Sequence, residues 1–273
     1  MSKTMKWTGE RLVPTVLNEI AVEHLARYSF AVSLAKGKKI LDIACGEGYG
    51  SYHLSKVAAE VVGVDINAET IAYAASKYIA SNLRFAEGNA VQLPLPDQYF
   101  DVVVSFETIE HLEQQQQMLA EIKRVLTPGG ILIISTPNKV HSEMQQHKNL
   151  FHEKELTREE FADLLKDQFT QVHLLQQHTA AGSLIVPDNW DIKKVDTVEG
   201  DFHQLRDKDM FGAPPYFLAL ASDLGLPQVN ALFFDAQKIM QERLYKIQMT
   251  ATYKLGALLL APFHWIKKTV RRK

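Results

Sequence analysis

Cysteine is almost absent: Cys45 is the single one among 273 residues, so neither an internal disulfide nor a cysteine-built metal cluster can form. The expectation is a protein of a reducing, cytoplasmic compartment. Excess charge of one sign is missing too. With 30 Lys and Arg against 32 Asp and Glu, the formal net charge is -2, which removes any general attraction to nucleic acid. No nucleic-acid partner is expected. No run of about 18 or more apolar residues is present to span a bilayer, and the opening MSKTMKWTGERLVP lacks the apolar core of a secretory signal. What is present is an ordinary globular composition, 46% apolar and 23% charged, long enough for one large α/β domain with additions.

Strand and helix patterns alternate along most of the chain. Apolar positions from Asn18 to Leu34 recur at helical spacing, and Lys39 to Ala44, KILDIA, reads as a buried strand that ends in the glycine-rich turn Cys45 to Gly50. A helix to about Ala59, a strand to Val64 and Asp65, and a helix from Asn67 to Ala80 follow. Further strands are expected at Leu83–Glu87, Phe100–Ser105 and Gly130–Ser135, with a helix over Gln115–Leu126 between the last two. Thr157 with Glu160 has the form of a capping box opening a helix to Phe169. Val172–Leu175 and Tyr216–Ala221 complete a count of seven strands, most of them parallel in a doubly wound sheet. Residues 177–215 read as a long insertion with little periodicity, and the chain beyond Pro227 as a long helix broken near Gly256 and Pro262. The implied organisation is an N-terminal cap segment over 1–36, a main domain over 37–225 and a helical extension over 226–273.

The chemistry concentrates where these strands end. In ILDIACGEGYG the glycines Gly46, Gly48 and Gly50 let backbone approach a ligand, because no Cβ intervenes. Asp42 lies at the strand's carboxyl end, the edge where open α/β sheets bind ligands, and suits a cationic amino group there. Asp65 ends the next strand in VVGVDI, at a spacing that suits a carboxylate accepting from two ribose hydroxyls. No Lys-Ser or Lys-Thr follows the glycines, which disfavours a phosphate-binding loop, and GEGYG is not the G-x-G-x-x-G of a nicotinamide site.

This ordered set resembles the class I S-adenosylmethionine-dependent methyltransferases, strongly over residues 37–138 and through strand order to about residue 222. The resemblance implies a Rossmann-like domain with S-adenosyl-L-methionine as its cofactor. It places Asp42, Ala44, Gly46, Gly48, Asp65, Ile66, Asn89 and Ala90 around that cofactor, with Asn89 standing where the family more often has Asp. It also puts Phe106 and Glu107, in SFETIEHL, beside the transferred methyl group. The flanks WTGERLVP, EHLARY, NLFHEKELTREEF and PYFLALAS are similar to methyltransferases of bacterial surface-polysaccharide pathways. That second likeness implies that Thr8–Arg11, Arg27 and Tyr28 cover the cofactor or the acceptor pocket. Ordinary aromatic packing of Trp7 and Tyr28, with Arg27 as a surface charge, is the bland alternative.

A hydroxyl acceptor must lose a proton, which calls for a base, most often His. His111, four residues after Glu107, is the first candidate, and a helix-capping role stays open for it. His152 is the second, as a base or an acceptor contact; it could equally be a loop histidine before a helix. His147 and His141, in the same connection, are less distinctive. No ligand spacing among these residues is diagnostic of a metal, and none is assigned.

The expected activity is therefore O-methylation of a sugar or glycan intermediate. A methyltransferase of a small aromatic or quinone-like metabolite and a cofactor-binding scaffold in a glycan-synthesis complex are the alternatives. The end of the chain joins LGALLLAPFHWI to Lys267, Lys268, Arg271, Arg272 and Lys273. Two readings of it stay open: peripheral contact with the inner face of a membrane or with a partner protein, and a packed helix with a solvated basic terminus.

Overall fold

The computed structural model describes residues 18–145, 149–179, 182–189, 198–200, 205–207, 213–250 and 252–255. The readings made for Trp7, Thr8–Arg11, His147 and the basic tail fall outside these residues, as does much of the 177–215 insertion.

Helix α1 (Glu19–Leu34) opens under an Asn18 cap that accepts from the Ala21 amide, and strand β1 (Lys39–Ile43) follows. Two helix–strand units follow, α2 (Tyr49–Ser55) with β2 (Glu60–Asp65) and α3 (Ala68–Lys77) with β3 (Leu83–Glu87), and then β4 (Phe100–Ser105). A single 3-10 turn at Ile109–His111 leads to α4 (Gln115–Val125) and the long β5 (Leu126–Pro137). After α5 (Lys139–Met144) comes α6 (Arg158–Lys166), which starts with the expected reciprocal capping box between Thr157 and Glu160.

The seven-stranded expectation is corrected to nine. β6 (Gln171–Thr179) and β10 (Tyr216–Ser222) match the last two expected strands, but β7 (Gly182–Pro187) and β11 (Leu232–Asp235) extend the sheet beyond them. The order is β11-β7-β6-β10-β5-β4-β1-β2-β3. Pairing is parallel from β5 through β3 and antiparallel on the β10 side, so the sheet is mixed. β8 (Val198–Gly200) and β9 (Leu205–Asp207) pair as a separate antiparallel ribbon. The single long helix read beyond Pro227 is likewise corrected: β11 precedes α7 (Gln237–Gln248).

Alternation along the strands decides which face each residue serves. Leu41 and Ile43 of β1 and Val103 of β4 point to the face covered by α4 and α6, where Met118, Ile122 and Phe161 are fully buried. Ile40, Val102 and Val104 point to the other face, under Ala26, Phe30 and Ala31 of α1 and Leu54 of α2. Each fully buried aliphatic side chain of this kind contributes roughly 1.5–3 kcal/mol. Asp42, between Leu41 and Ile43, is thereby forced toward α1.

The chain runs outward from β1 through β2 to β3, then crosses back to β4 on the other side of β1. The carboxyl ends of β1 and β4 therefore splay into a crevice, the place where an open α/β sheet binds its ligand.

Candidate active site

One large cavity of about 1130 Å³ opens over that crevice. Its volume exceeds the roughly 300–1,000 Å³ of a typical small-molecule site, so it has room for a cofactor and a second reactant. Ala44, Gly46, Asp65, Ile66, Gly88, Asn89, Ala90 and Phe106 line one half; Glu107, Glu110, His111, His141, His152 and Glu155 line the other. Arg27, Tyr28 and Tyr216 also line it.

The turn after β1 is built for close approach. Its backbone is left-handed at Ala44 (φ 55°), Gly46 (φ 55°) and Gly48 (φ 83°). A Cβ added to Gly46 would meet nothing within 4 Å, so that glycine faces open space. A non-glycine residue in this region is strained, and Ala44 and Glu107 (φ 49°) both hold such a conformation in the cavity wall. Asp65 fastens the turn from β2: its carboxylate accepts the Gly46 amide at 3.1 Å and the Asn67 amide at 3.0 Å. Asn89 uses its side-chain oxygen to accept the Val91 amide at 3.1 Å, so its own loop is an Asx turn beside the cavity.

Two other glycines of the turn have structural duties. A Cβ at Gly48 would lie 2.7 Å from the Phe85 ring, and one at Gly50 only 1.9 Å from Tyr28. Gly50 is the hole into which the Tyr28 ring fits, and neither Gly48 nor Gly50 lines the cavity. The idea that all three glycines admit a ligand thus narrows to Gly46.

Asp42 also lies behind the wall and not on it. It is fully buried, accepting from Ser51 Oγ at 2.6 Å and from the Tyr28 hydroxyl at 3.2 Å. Burial lifts its carboxyl to about 7, with the Asp65 charge adding and the Ser51 and Tyr28 hydrogen bonds opposing. Tyr28 reaches it from α1, its ring edge-on to Phe106 at 5.2 Å between centroids. Burial and the neighbouring Asp42 push the Tyr28 phenol well above its ordinary value.

On the other half, Glu107 accepts from Ser135 Oγ at 2.6 Å and stands 3.6 Å from Arg27 Nη2. Arg27 is fully buried: its Nε donates to Gln177 at 2.8 Å and its guanidinium stacks 4.3 Å from the Tyr216 ring centre. Burial opposes its charge, yet Glu107, Tyr216 and Glu23 outweigh that and strengthen it. The surface-charge reading of Arg27 is therefore corrected. Glu23 accepts from Tyr216 at 2.8 Å and from Thr179 at 2.9 Å, closing the floor between α1, β6 and β10.

His111 and His152 come together with their rings edge to face, 4.9 Å between centroids. The Glu110 carbonyl accepts the amides of Glu153 and Lys154, and buried Gln115 donates to the carbonyls of Ile109 and Lys154. These bonds staple the turn after β4 to the loop before α6. His111 Nδ1 donates to the Phe151 carbonyl at 2.8 Å, leaving Nε2 as the nitrogen able to accept a proton. His152 Nδ1 pairs with Glu155 at 2.5 Å, and its Nε2 meets the Asn149 amide at 2.9 Å. His141 lies further along the wall, its Nδ1 on the Ala213 carbonyl at 3.1 Å.

Glu110 escaped sequence reasoning. It is fully buried, burial and the Glu107 charge drive its carboxyl pKa well up, and neither oxygen has a hydrogen-bond partner. The signal that could have found it is its place three residues after Glu107 and directly before His111 in ETIEH.

Residues 41–134 match a family described as a methyltransferase domain. Among curated proteins, the chain is 38% identical over 163 residues to a "Probable S-adenosylmethionine-dependent methyltransferase" of Mycolicibacterium smegmatis, covering 58% of this chain and 63% of that one. A protein of the same description from Mycobacterium tuberculosis is 35% identical over 164 residues, 59% of each chain. The chain thus spans about three fifths of the length of these relatives. In fold it is similar to an S-adenosylmethionine-dependent methyltransferase from Thermotoga maritima, with a TM-score of 0.53 at 19% identity over 75% of this chain and 92% of that one. Residues 41–134 thus match a methyltransferase-domain family, and the fold around them is similar to that of a solved S-adenosylmethionine-dependent methyltransferase.

Proposed function

We propose that the chain is an S-adenosylmethionine-dependent methyltransferase that O-methylates a hydroxyl of a sugar or glycan intermediate. The observation that carries this reading is a single cavity with an open glycine turn and Asp65 at one end and Glu107, His111 and His152 at the other. A cofactor of this kind fits the donor half. Asp65 would take the ribose hydroxyls, the Gly46 backbone would lie along the amino-acid moiety, and Ile66, Asn89 and Ala90 would border the base. Asp42, behind Tyr28, anchors the Tyr28 hydroxyl at that end and does not line the cavity.

When bound, the cofactor supplies a methyl group already activated on a sulfonium. The work left to the protein is to align the acceptor and remove its proton, for which positioning supplies much of the rate. Phe106 and Glu107, at the end of β4, border the junction of the two halves. His111 Nε2 is the group on the acceptor side best suited to activate a hydroxyl, since its other nitrogen is committed to Phe151.

The acceptor half favours a polyhydroxyl molecule over a flat apolar one. Its wall carries Glu107, His111, His141, Asn149, His152 and Glu155, polar groups among which the His111 Nε2 would find a hydroxyl partner on a sugar and none on a flat apolar ring face. The basic apolar tail read from the sequence suits an acceptor carried on a membrane or a protein partner.

Labelled cofactor incubated with the purified chain and a panel of nucleotide sugars, glycan primers and a lipid quinol tests the reading. The expected result is an alkali-stable methyl ether on a sugar. Label on the quinol alone would overturn the acceptor class, and no formation of S-adenosylhomocysteine with any acceptor would overturn the activity.

A further inference from the structure

We propose that Glu110, His111 and His152 bind one divalent cation, which holds the acceptor hydroxyl and makes it acidic. The proposal rests on reading this half of the cavity as the acceptor side, and it assigns the two histidines to the cation in place of direct proton removal.

Three observations converge on it. First, donor atoms of the three side chains all lie within 4.8 Å of one another. Second, Glu110 is fully buried and neither of its oxygens has a hydrogen-bond partner. A buried carboxylate without a donor is strongly unfavourable, and a cation is the partner that would compensate it. Third, both imidazoles are fixed from behind: His111 by the Phe151 carbonyl and His152 by the Glu155 carboxylate. A carbonyl or carboxylate on one ring nitrogen is how metal-bound histidines are oriented, and it leaves Nε2 as the ligand atom.

The geometry says what must move. Donors at about 2.1 Å from one ion stand at most roughly 4.2 Å apart. Loading therefore draws the set inward by some tenths of an ångström and displaces the Asn149 amide from His152 Nε2. One carboxylate and two imidazoles suit Mn²⁺ or Zn²⁺ better than Mg²⁺ or Ca²⁺, which favour oxygen throughout. Three protein ligands leave positions open for a hydroxyl.

In the step that follows, the coordinated hydroxyl releases its proton to water and its oxygen pair forms a bond to the sulfonium methyl carbon. The carbon–sulfur bond breaks with its pair remaining on sulfur, giving the methyl ether and S-adenosylhomocysteine. No redox change is involved.

The test uses the full chain after chelation. Mn²⁺ is titrated while the free ion is counted by its paramagnetic resonance, with Zn²⁺ as competitor, and S-adenosylhomocysteine affinity is measured in parallel as the check on folding. One Mn²⁺ per chain, displaced by Zn²⁺, is expected. Glu110→Gln and, through the ring it orients, Glu155→Gln should weaken Mn²⁺ binding by about tenfold or more with S-adenosylhomocysteine affinity unchanged. No stoichiometric ion in the wild type, or unaltered Mn²⁺ affinity in Glu110→Gln, would overturn the site. Methyl transfer to a sugar that survives chelation with no ion bound overturns the cation and keeps the proposed function; an ion bound with no hydroxyl methylated does the reverse.

Discussion

Asp65 illustrates how one side chain serves fold and site together. Its oxygens hold the Gly46 and Asn67 amides, and the residue lines the cavity. Asp65→Ala removes charge-assisted acceptors worth about 1.5–3 kcal/mol each, so calorimetry should find S-adenosylhomocysteine bound at least ~10-fold more weakly; unchanged affinity would refute the ribose placement. Asp65 was legible in the sequence because an acid ending a second strand has few other uses. Asp42 was legible as an acid at a strand end, but its burial behind Tyr28 was not, since the helix that covers it lies outside the motif. Its carboxyl titrates at about 7 in the folded chain, against ~3.9 when unfolded. The folded state thus holds the extra proton, and the stability this contributes is full below about pH 4 and lost as pH rises through 7. Relative to Asp42→Asn, the wild type should lose up to roughly 4 kcal/mol between pH 4 and pH 8 in chemical denaturation. A pH-independent difference between the two would contradict the assignment.

Elements were read well where period and turn chemistry agreed. The β1–β5 run, the Thr157 capping box and α1 all follow from local pattern, because each buries an apolar face of its own period. β11 was missed because its four residues, LFFD, are too few to establish alternation, and the sheet edge that recruits them lies in β7, far away in sequence. Once paired, the alternation is plain: Leu232 and Phe234 turn toward the core, while Phe233 is exposed. Phe234→Ala should therefore destabilise the fold by about 1–3 kcal/mol, and Phe233→Ala by clearly less, in the same denaturation assay. Equal losses would argue for a helix or a loop at this place. The sheet's antiparallel side was equally illegible, since strand direction depends on connections through the insertion and not on any local pattern.

At the scale of the molecule, the sheet divides its labour at the crossover. In the proposed function, β1, β2 and β3 deliver the donor-binding half, and β4, β5 and the loop before α6 deliver the acceptor half. The sequence announced the donor half through glycines and an acid on successive strands. The acceptor half depends on residues 41 positions apart meeting, as His111 and His152 do, and on a buried Glu110 that no spacing rule marks. The account's central claim is that these two halves are separable functions of one cavity. The most direct measurement compares Asp65→Ala and His111→Ala for S-adenosylhomocysteine affinity and for turnover at saturating donor. The account predicts that His111→Ala keeps donor affinity within about twofold while kcat falls roughly 10²–10⁴-fold, and that Asp65→Ala loses mainly affinity. A His111→Ala enzyme that turns over at the wild-type rate, or one that loses donor binding as severely as Asp65→Ala, would contradict it.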